Sequence, residues 1–156
     1  MKTMRRKDRE VTDFAEIADI LKRSDTIRLG LHGDPYPYVV PLSFGFEAQN
    51  GRIALYFHGA TEGLKHDLIQ NNPLVCVEAD ILHRYAETGG SVTAEYESFI
   101  GFGRIERVEG GEAERGLDLL LCHCGYEGFE YDISALGRTW VYKIELDSFT
   151  GKRRTV

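Results

Sequence analysis

About six strand-like segments, most of them separated by short turns, restrict this chain more than any other feature of its sequence. Thr26 to His32 alternates between apolar and polar residues, and Tyr38 to Glu47 is rich in aromatic and branched side chains. Ile53 to His58, Val75 to Ala79, Val92 to Val108 and Thr139 to Leu146 complete the set. Gly33-Asp34-Pro35-Tyr36-Pro37 divides the first pair, and Gln49-Asn50-Gly51 is a hairpin signal before Ile53. Three stretches follow helical spacing instead. Asp13 offers a cap acceptor, with Glu16 three residues on, ahead of the stripe Phe14, Ile17, Ala18 and Leu21. Glu62 to Asn71 carries Leu64, Leu68 and Ile69 and stops at Asn72-Pro73, and Gly110 to Cys124 carries Leu117, Leu120 and Leu121. One helix between the third and fourth strands does not make a doubly wound fold, and no Gly-x-Gly-x-x-Gly turn follows the first strand. The pattern predicts a mainly β domain with peripheral helices, an antiparallel barrel or sandwich.

Two irregularities are expected. Gly101 and Gly103 suggest a bend within Val92 to Val108, and Tyr85 to Ser91, with Gly89-Gly90, reads as a mobile loop. A length of 156 residues suits a single domain over 1–156. Basic clusters at Arg5-Arg6-Lys7 and Lys152-Arg153-Arg154 are read as solvated tails, about 1–10 and 150–156. A net charge of −6 argues against a chain whose main task is neutralising nucleic-acid phosphates. No apolar run approaches the roughly 20 residues that span a bilayer, so no membrane partner is expected. The start, Met1 to Arg9, is basic and lacks a following apolar stretch, and three cysteines cannot pair fully. A reducing, cytoplasmic location is the expectation.

The segment Leu55-Tyr56-Phe57-His58-Gly59-Ala60-Thr61-Glu62-Gly63-Leu64-Lys65 carries the most chemistry. It reads as a strand, a tight turn of small residues, and a helix start. Small residues let backbone N–H groups approach an anion, and the free donors of a first helical turn carry partial positive charge. Lys65 adds a full charge there and His58 a further hydrogen bond, which makes a phosphate cradle. Glu62 opposes it, and an ordinary turn capped by Thr61 is the alternative. In Tyr38 to Glu47, Pro41 cannot donate to a ladder, so it implies an edge or a break whose free backbone groups could bond the rim of a planar heterocycle. In Glu95 to Arg104, alternation puts Tyr96 and Ser98 on one face and Phe99 on the other. Cys122-His123-Cys124 lacks a second ligand pair, so no metal is expected and the thiols are read as buried or half-buried. His32, His66 and His83 are read as surface residues, and no Gly-x-Ser-x-Gly marks a hydrolase.

Taken in order, these segments resemble the pyridoxamine 5'-phosphate oxidase-like flavin-binding proteins, nearest their nitroimidazole-resistance branch. The residues that carry the likeness are Met4 to Glu10, Pro37 to Gly45, Tyr56 to Ala60, Asn72-Pro73, Tyr96-Glu97-Ser98 and Thr150-Gly151-Lys152. The resemblance implies a six-stranded antiparallel split β-barrel that forms a homodimer, with cofactor sites at the subunit interface. It implies FMN as cofactor, with FAD or haem as alternatives. It places Val40, Pro41, Leu42 and Ser43 along the isoalloxazine, and His58, Gly59, Ala60, Gly63 and Lys65 around the ribityl chain and phosphate. Tyr96 and Ser98 would complete the site, and His58 would stand near the reacting centre as the catalytic candidate. The implied function is an FMN-binding oxidoreductase for a small flat or heterocyclic substrate, of the nitroimidazole reductase type. A non-enzymatic flavin or haem carrier of the same fold is the alternative. The chain is short for pyridoxamine 5'-phosphate oxidase itself and ends without that enzyme's carboxy-terminal substrate region, so vitamin B6 synthesis is not expected.

Overall fold

The computed structural model describes residues 4–156, apart from the side chains at 133, 135 and 136. Helix α1 (Phe14–Arg23) begins where the capping signal puts it: the Asp13 carboxylate accepts the Glu16 N–H at 3.0 Å. Its stripe of Ile17, Ile20 and Leu21 is buried, and it ends at Ser24, whose hydroxyl donates to the Ile20 carbonyl at 2.8 Å.

The strands are β1 (Glu10–Val11), β2 (Ile27–Leu31), β3 (Tyr38–Leu42), β4 (Gly45–Gln49), β5 (Arg52–Ala60), β6 (Leu74–Thr88), β7 (Ser91–Val108) and β8 (Thr139–Arg154). They form one antiparallel sheet in the order β3-β2-β6-β7-β8-β5-β4, with β1 pairing β8. All six expected strands are present. The count reaches eight because Tyr38 to Glu47 breaks at Ser43-Phe44 into β3 and β4, and because Glu10 and Val11 pair with Lys152 and Gly151. That break shapes the whole molecule. β3 and β4 lie at opposite ends of the ladder, yet only Ser43 and Phe44 connect them, a reach of about 10 Å. The sheet must therefore curl until its edges nearly meet. The covalent chain crosses the seam and hydrogen bonds do not, which is a split barrel. Pro41 is tolerated because β3 is an edge strand paired only with β2.

The interior is filled by Leu29, Phe44, Leu55, Phe57, Val77, Phe99 and Ile144, with Ile20 and Leu21 of α1 closing one side. Helix α2 (Leu64–Asn71) adds Ile69 to the same core. Helix α3 (Gly110–His123) lies outside the barrel. Ala113, Gly116, Leu117 and Leu120 form its buried face, and Gly116 comes so close that a Cβ there would stand 2.7 Å from the Tyr56 ring.

Three expectations are corrected. Tyr85 to Ser91 is no mobile loop: β6 runs on to Thr88 and β7 starts at Ser91, so the two form a long ribbon closed by a two-residue turn. Gly89 (φ 54°) and Gly90 (φ 83°) supply the paired positive φ that such a turn needs. Lys152 to Arg154 is no tail either. It is the end of β8, paired with Ser98 to Tyr96, and Arg153 Nε reaches Glu97 Oε1 at 2.6 Å. Residues 1–3 of the expected amino-terminal tail lie outside the described residues. Cys122 and Cys124 are exposed, because they fall off the apolar face of α3, while Cys76 is half-buried. Among the described residues, no helix is long and apolar enough to cross a membrane.

Candidate functional site

At the end of β5 the chain turns through Thr61, Glu62 and Gly63 into α2. The helix begins at Leu64, later than a Thr61 cap would set it, and Gly63 takes φ 117°, a conformation that side-chain-bearing residues rarely adopt. No side chain caps this end, so the first-turn N–H groups are left open. Lys65 folds back from that first turn. Its Nζ lies 5.2 Å over the Phe57 ring and 3.0 Å from where a Cβ on Gly59 would stand. Burial pushes the ammonium below the ordinary lysine value, and among the described residues no carboxylate opposes the shift. A half-desolvated cation without a counter-charge, beside open helix donors, is an anion site by its chemistry.

A histidine read from sequence as a surface residue holds α2 in place. His66 Nδ1 lies 3.1 Å from the Tyr142 hydroxyl, and its ring meets Trp140 edge-on at 4.5 Å. Tyr142 stacks on Phe57 at 5.1 Å, and Arg107 covers the other ring at 3.9 Å from the Trp140 centroid. The sequence carried no signal for this cluster, since its members lie on four separate elements.

Alternation along β5 separates the two expected phosphate ligands. Phe57 and Gly59 face the Lys65 side, whereas His58 points with Tyr56 toward α3. There it lines a pocket of about 230 Å³ with Leu117, Leu120, Leu121, Phe129 and Tyr131. Burial first, and the Lys65 charge second, hold the His58 imidazolium below the ordinary histidine value, so the ring is neutral at neutral pH.

Val40 to Leu42 pair with β2, and Ser43 belongs to the link that follows. The β4–β5 ladder begins with Gly45 opposite Tyr56, so Ser43 precedes that pair by two residues and His58 follows Tyr56 by two. Gly59 and Ala60 pair with Trp140 and Thr139 of β8 and have no β4 partner. Val40 and Leu42 are half-buried, and Pro41 and Ser43 are exposed.

Tyr96 and Ser98 stand elsewhere. They pair with Arg154 and Lys152 at the far end of β8, whereas Gly59 pairs with Trp140. Trp140 and Lys152 are 12 residues apart, about 40 Å of extended strand. Within one chain, Tyr96 and Ser98 therefore do not meet Gly59 and Lys65. Burial acts to raise the Tyr96 hydroxyl, but hydrogen bonds from Lys152 and Arg9 overcome it and hold the group below the ordinary tyrosine value. Beside it, the buried Glu97 gathers Arg23 (2.6 Å), Arg153 (2.6 Å) and His83 (3.0 Å), which together bring its carboxyl down to about 2 against the cost of burial. Among the described residues no cluster of three His, Cys, Asp or Glu could hold a metal ion.

A curled antiparallel sheet whose edges are joined by the chain and not by hydrogen bonds is a split barrel. The family model described as pyridoxamine 5'-phosphate oxidase matches residues 13–153, and the chain belongs to that family. A candidate 5-nitroimidazole antibiotic resistance protein from Bacteroides thetaiotaomicron superposes with a TM-score of 0.81 at 30% identity, over 92% of this chain and 85% of that one. This likeness falls on the nitroimidazole-resistance branch. A flavocytochrome from Azotobacter vinelandii (TM-score 0.76, 19% identity, 99% of this chain and 73% of that one) shares the fold. So does an FAD and haem binding protein from Mycobacterium smegmatis (TM-score 0.78, 20% identity, 95% and 74%). None of the curated proteins matches the chain.

Proposed function

We propose that this protein binds a flavin, FMN first among the candidates, and serves as an oxidoreductase for a small flat or heterocyclic compound. The observation that carries the reading is Lys65, a half-buried ammonium with no carboxylate beside it among the described residues, set against the open first turn of α2. A phosphate fits that donor set in charge and in hydrogen-bonding capacity. Lys65, Gly59, Ala60 and Gly63 would hold the ribityl chain and phosphate. Val40, Pro41, Leu42 and Ser43 would lie along the isoalloxazine, where an edge strand leaves backbone groups free. Bound flavin supplies two-electron transfer; the chain supplies position and protons. His58, kept neutral, would orient the substrate and exchange a proton with it through its imidazole.

Because Tyr96 and Ser98 are remote from Lys65 within one chain, the reading requires a homodimer. Tyr96 and Ser98 of the partner subunit would then complete each site.

Purification without added cofactor, followed by a visible spectrum and FMN titration, tests the proposal. Flavin bands or saturable FMN binding are expected, with affinity falling about 100-fold in Lys65→Glu from the lost attraction and the added repulsion. Absence of both bands and binding, or undiminished binding by Lys65→Glu, overturns it. A haem absorption band in place of flavin bands would favour the carrier alternative, and mass spectrometry of the released cofactor separates FMN from FAD.

A further inference from the structure

The pocket on the α3 side of β5 has a chemistry of its own. Its floor is Leu117, Leu120 and Leu121, three residues of one helical stripe, and Phe129 forms a wall. A volume of about 230 Å³ is below the usual range for drug-sized ligands, too small for a three-ring flavin and suited to a single ring. Polar groups are few: His58 and Thr139 on the strands, Tyr131 and Asp132 on the segment that follows α3. Asp132 Oδ1 accepts the Ser134 N–H at 2.9 Å, and the Ser134 side chain first, with that N–H second, holds its carboxyl below the ordinary value, so it is ionised at neutral pH. Tyr131 borders two further acids, Asp118 and Glu114. No lysine or arginine lines the pocket among the described residues, and Lys65 lies on the opposite face of β5. An oily floor under an acidic mouth favours a ring that carries positive charge.

We propose that this pocket receives the substrate, and that the substrate is a one-ring aromatic cation. Its ring would lie on the α3 leucines and Phe129, its charge at Asp132, and its far edge within reach of His58. Only the ligand's status as substrate rests on the flavin reading; the binding preference stands apart from it.

Calorimetric titration of the full-length protein with benzylamine, benzyl alcohol and benzoate tests the charge preference. Benzylamine is expected to bind about tenfold tighter than benzyl alcohol, with benzoate weakest. Asp132→Asn, on an exposed segment, should erase most of that advantage while leaving benzyl alcohol binding unchanged. Benzylamine should also shift the NMR ring signals of His58, assigned with His58→Gln. Lys65→Glu should lose FMN yet keep benzylamine, which separates this proposal from the flavin reading. Equal binding of the three probes, no binding of benzylamine, no movement of the His58 signals, or an undiminished preference in Asp132→Asn would each overturn it. Competition between FMN and benzylamine would do so as well, since the pocket would then belong to the flavin.

Discussion

Lys65 rests its ammonium against Gly59, with Nζ 3.0 Å from the place a β-carbon would occupy. The contact is possible only because residue 59 has no side chain. Gly59→Val should push the amine aside and lower FMN affinity about tenfold. The fold should lose only about 1 kcal/mol, because the displaced group is the flexible end of a lysine. Gly59→Ala should do less. An FMN titration beside a urea unfolding curve checks both halves, and unchanged FMN affinity in Gly59→Val would argue that Lys65 does not touch the ligand.

His66 acts on the same corner from behind. His66→Leu keeps the bulk but removes the hydrogen bond to Tyr142, so α2 should loosen at its start. FMN affinity is expected to drop about fivefold with faster amide exchange in 67–70, although residue 66 is not placed among the phosphate ligands. Unaltered exchange with unaltered affinity would remove His66 from the positioning of the helix.

Glu97 should make stability depend on pH. Its folded carboxyl titrates at about 2 against an ordinary 4.5, so the stabilisation is complete above pH 4.5 and disappears as pH falls through 4.5 toward 2. Up to about 3 kcal/mol is at stake in that window. Urea midpoints measured at pH 7, 4.5 and 2.5 should fall more steeply for the native chain than for Glu97→Gln. The variant should be weaker at pH 7, where Arg23 and Arg153 lose their anion.

A shared site can be tested by mixing subunits. Lys65→Glu and a Tyr96→Ala, Ser98→Trp double variant should each bind FMN poorly alone. Coexpressed, they should recover about half of one site per chain in the mixed dimers, because one of the two corners is then intact. Failure to recover any binding, while both variants still assemble, would place Tyr96 and Ser98 outside the site.

Gly45 measures how closely α3 presses on the barrel. A β-carbon there would collide with the backbone of Leu119 and Leu120, so Gly45→Ala should cost about 3 kcal/mol. Gly111→Ala, in the same helix but facing open space, should be neutral or slightly stabilising. Equal unfolding midpoints for the two variants would contradict the packing.

The sequence was legible where a single residue's covalent chemistry decides the outcome. Asp13 capped its helix, Pro41 stood on an edge, and Asn50-Gly51 closed a hairpin with φ of 54° and 75°. Gly89-Gly90 was the same kind of signal, masked because the flanking ribbon is polar and half-exposed, without a buried stripe to mark it as strand. Lys65 could be placed beside Gly59 because the two are six residues apart across one turn. Alternation along β5 already set His58 opposite Phe57 and Gly59, but the pocket it lines depended on α3 covering that side, and the union of Arg23, His83 and Arg153 on Glu97 depended on four distant elements. Contacts made by the tertiary fold leave no local trace in a single chain.

The two-residue link across the seam ties side-chain orientation to chain length. Inserting or deleting one residue between Leu42 and Gly45 would advance β4 by half a pleat, turning Phe46 and Ala48 away from the core and sending Glu47 into it. Evolution can lengthen the loops of this protein with little consequence, but at that one junction the number of residues is as constrained as their identity.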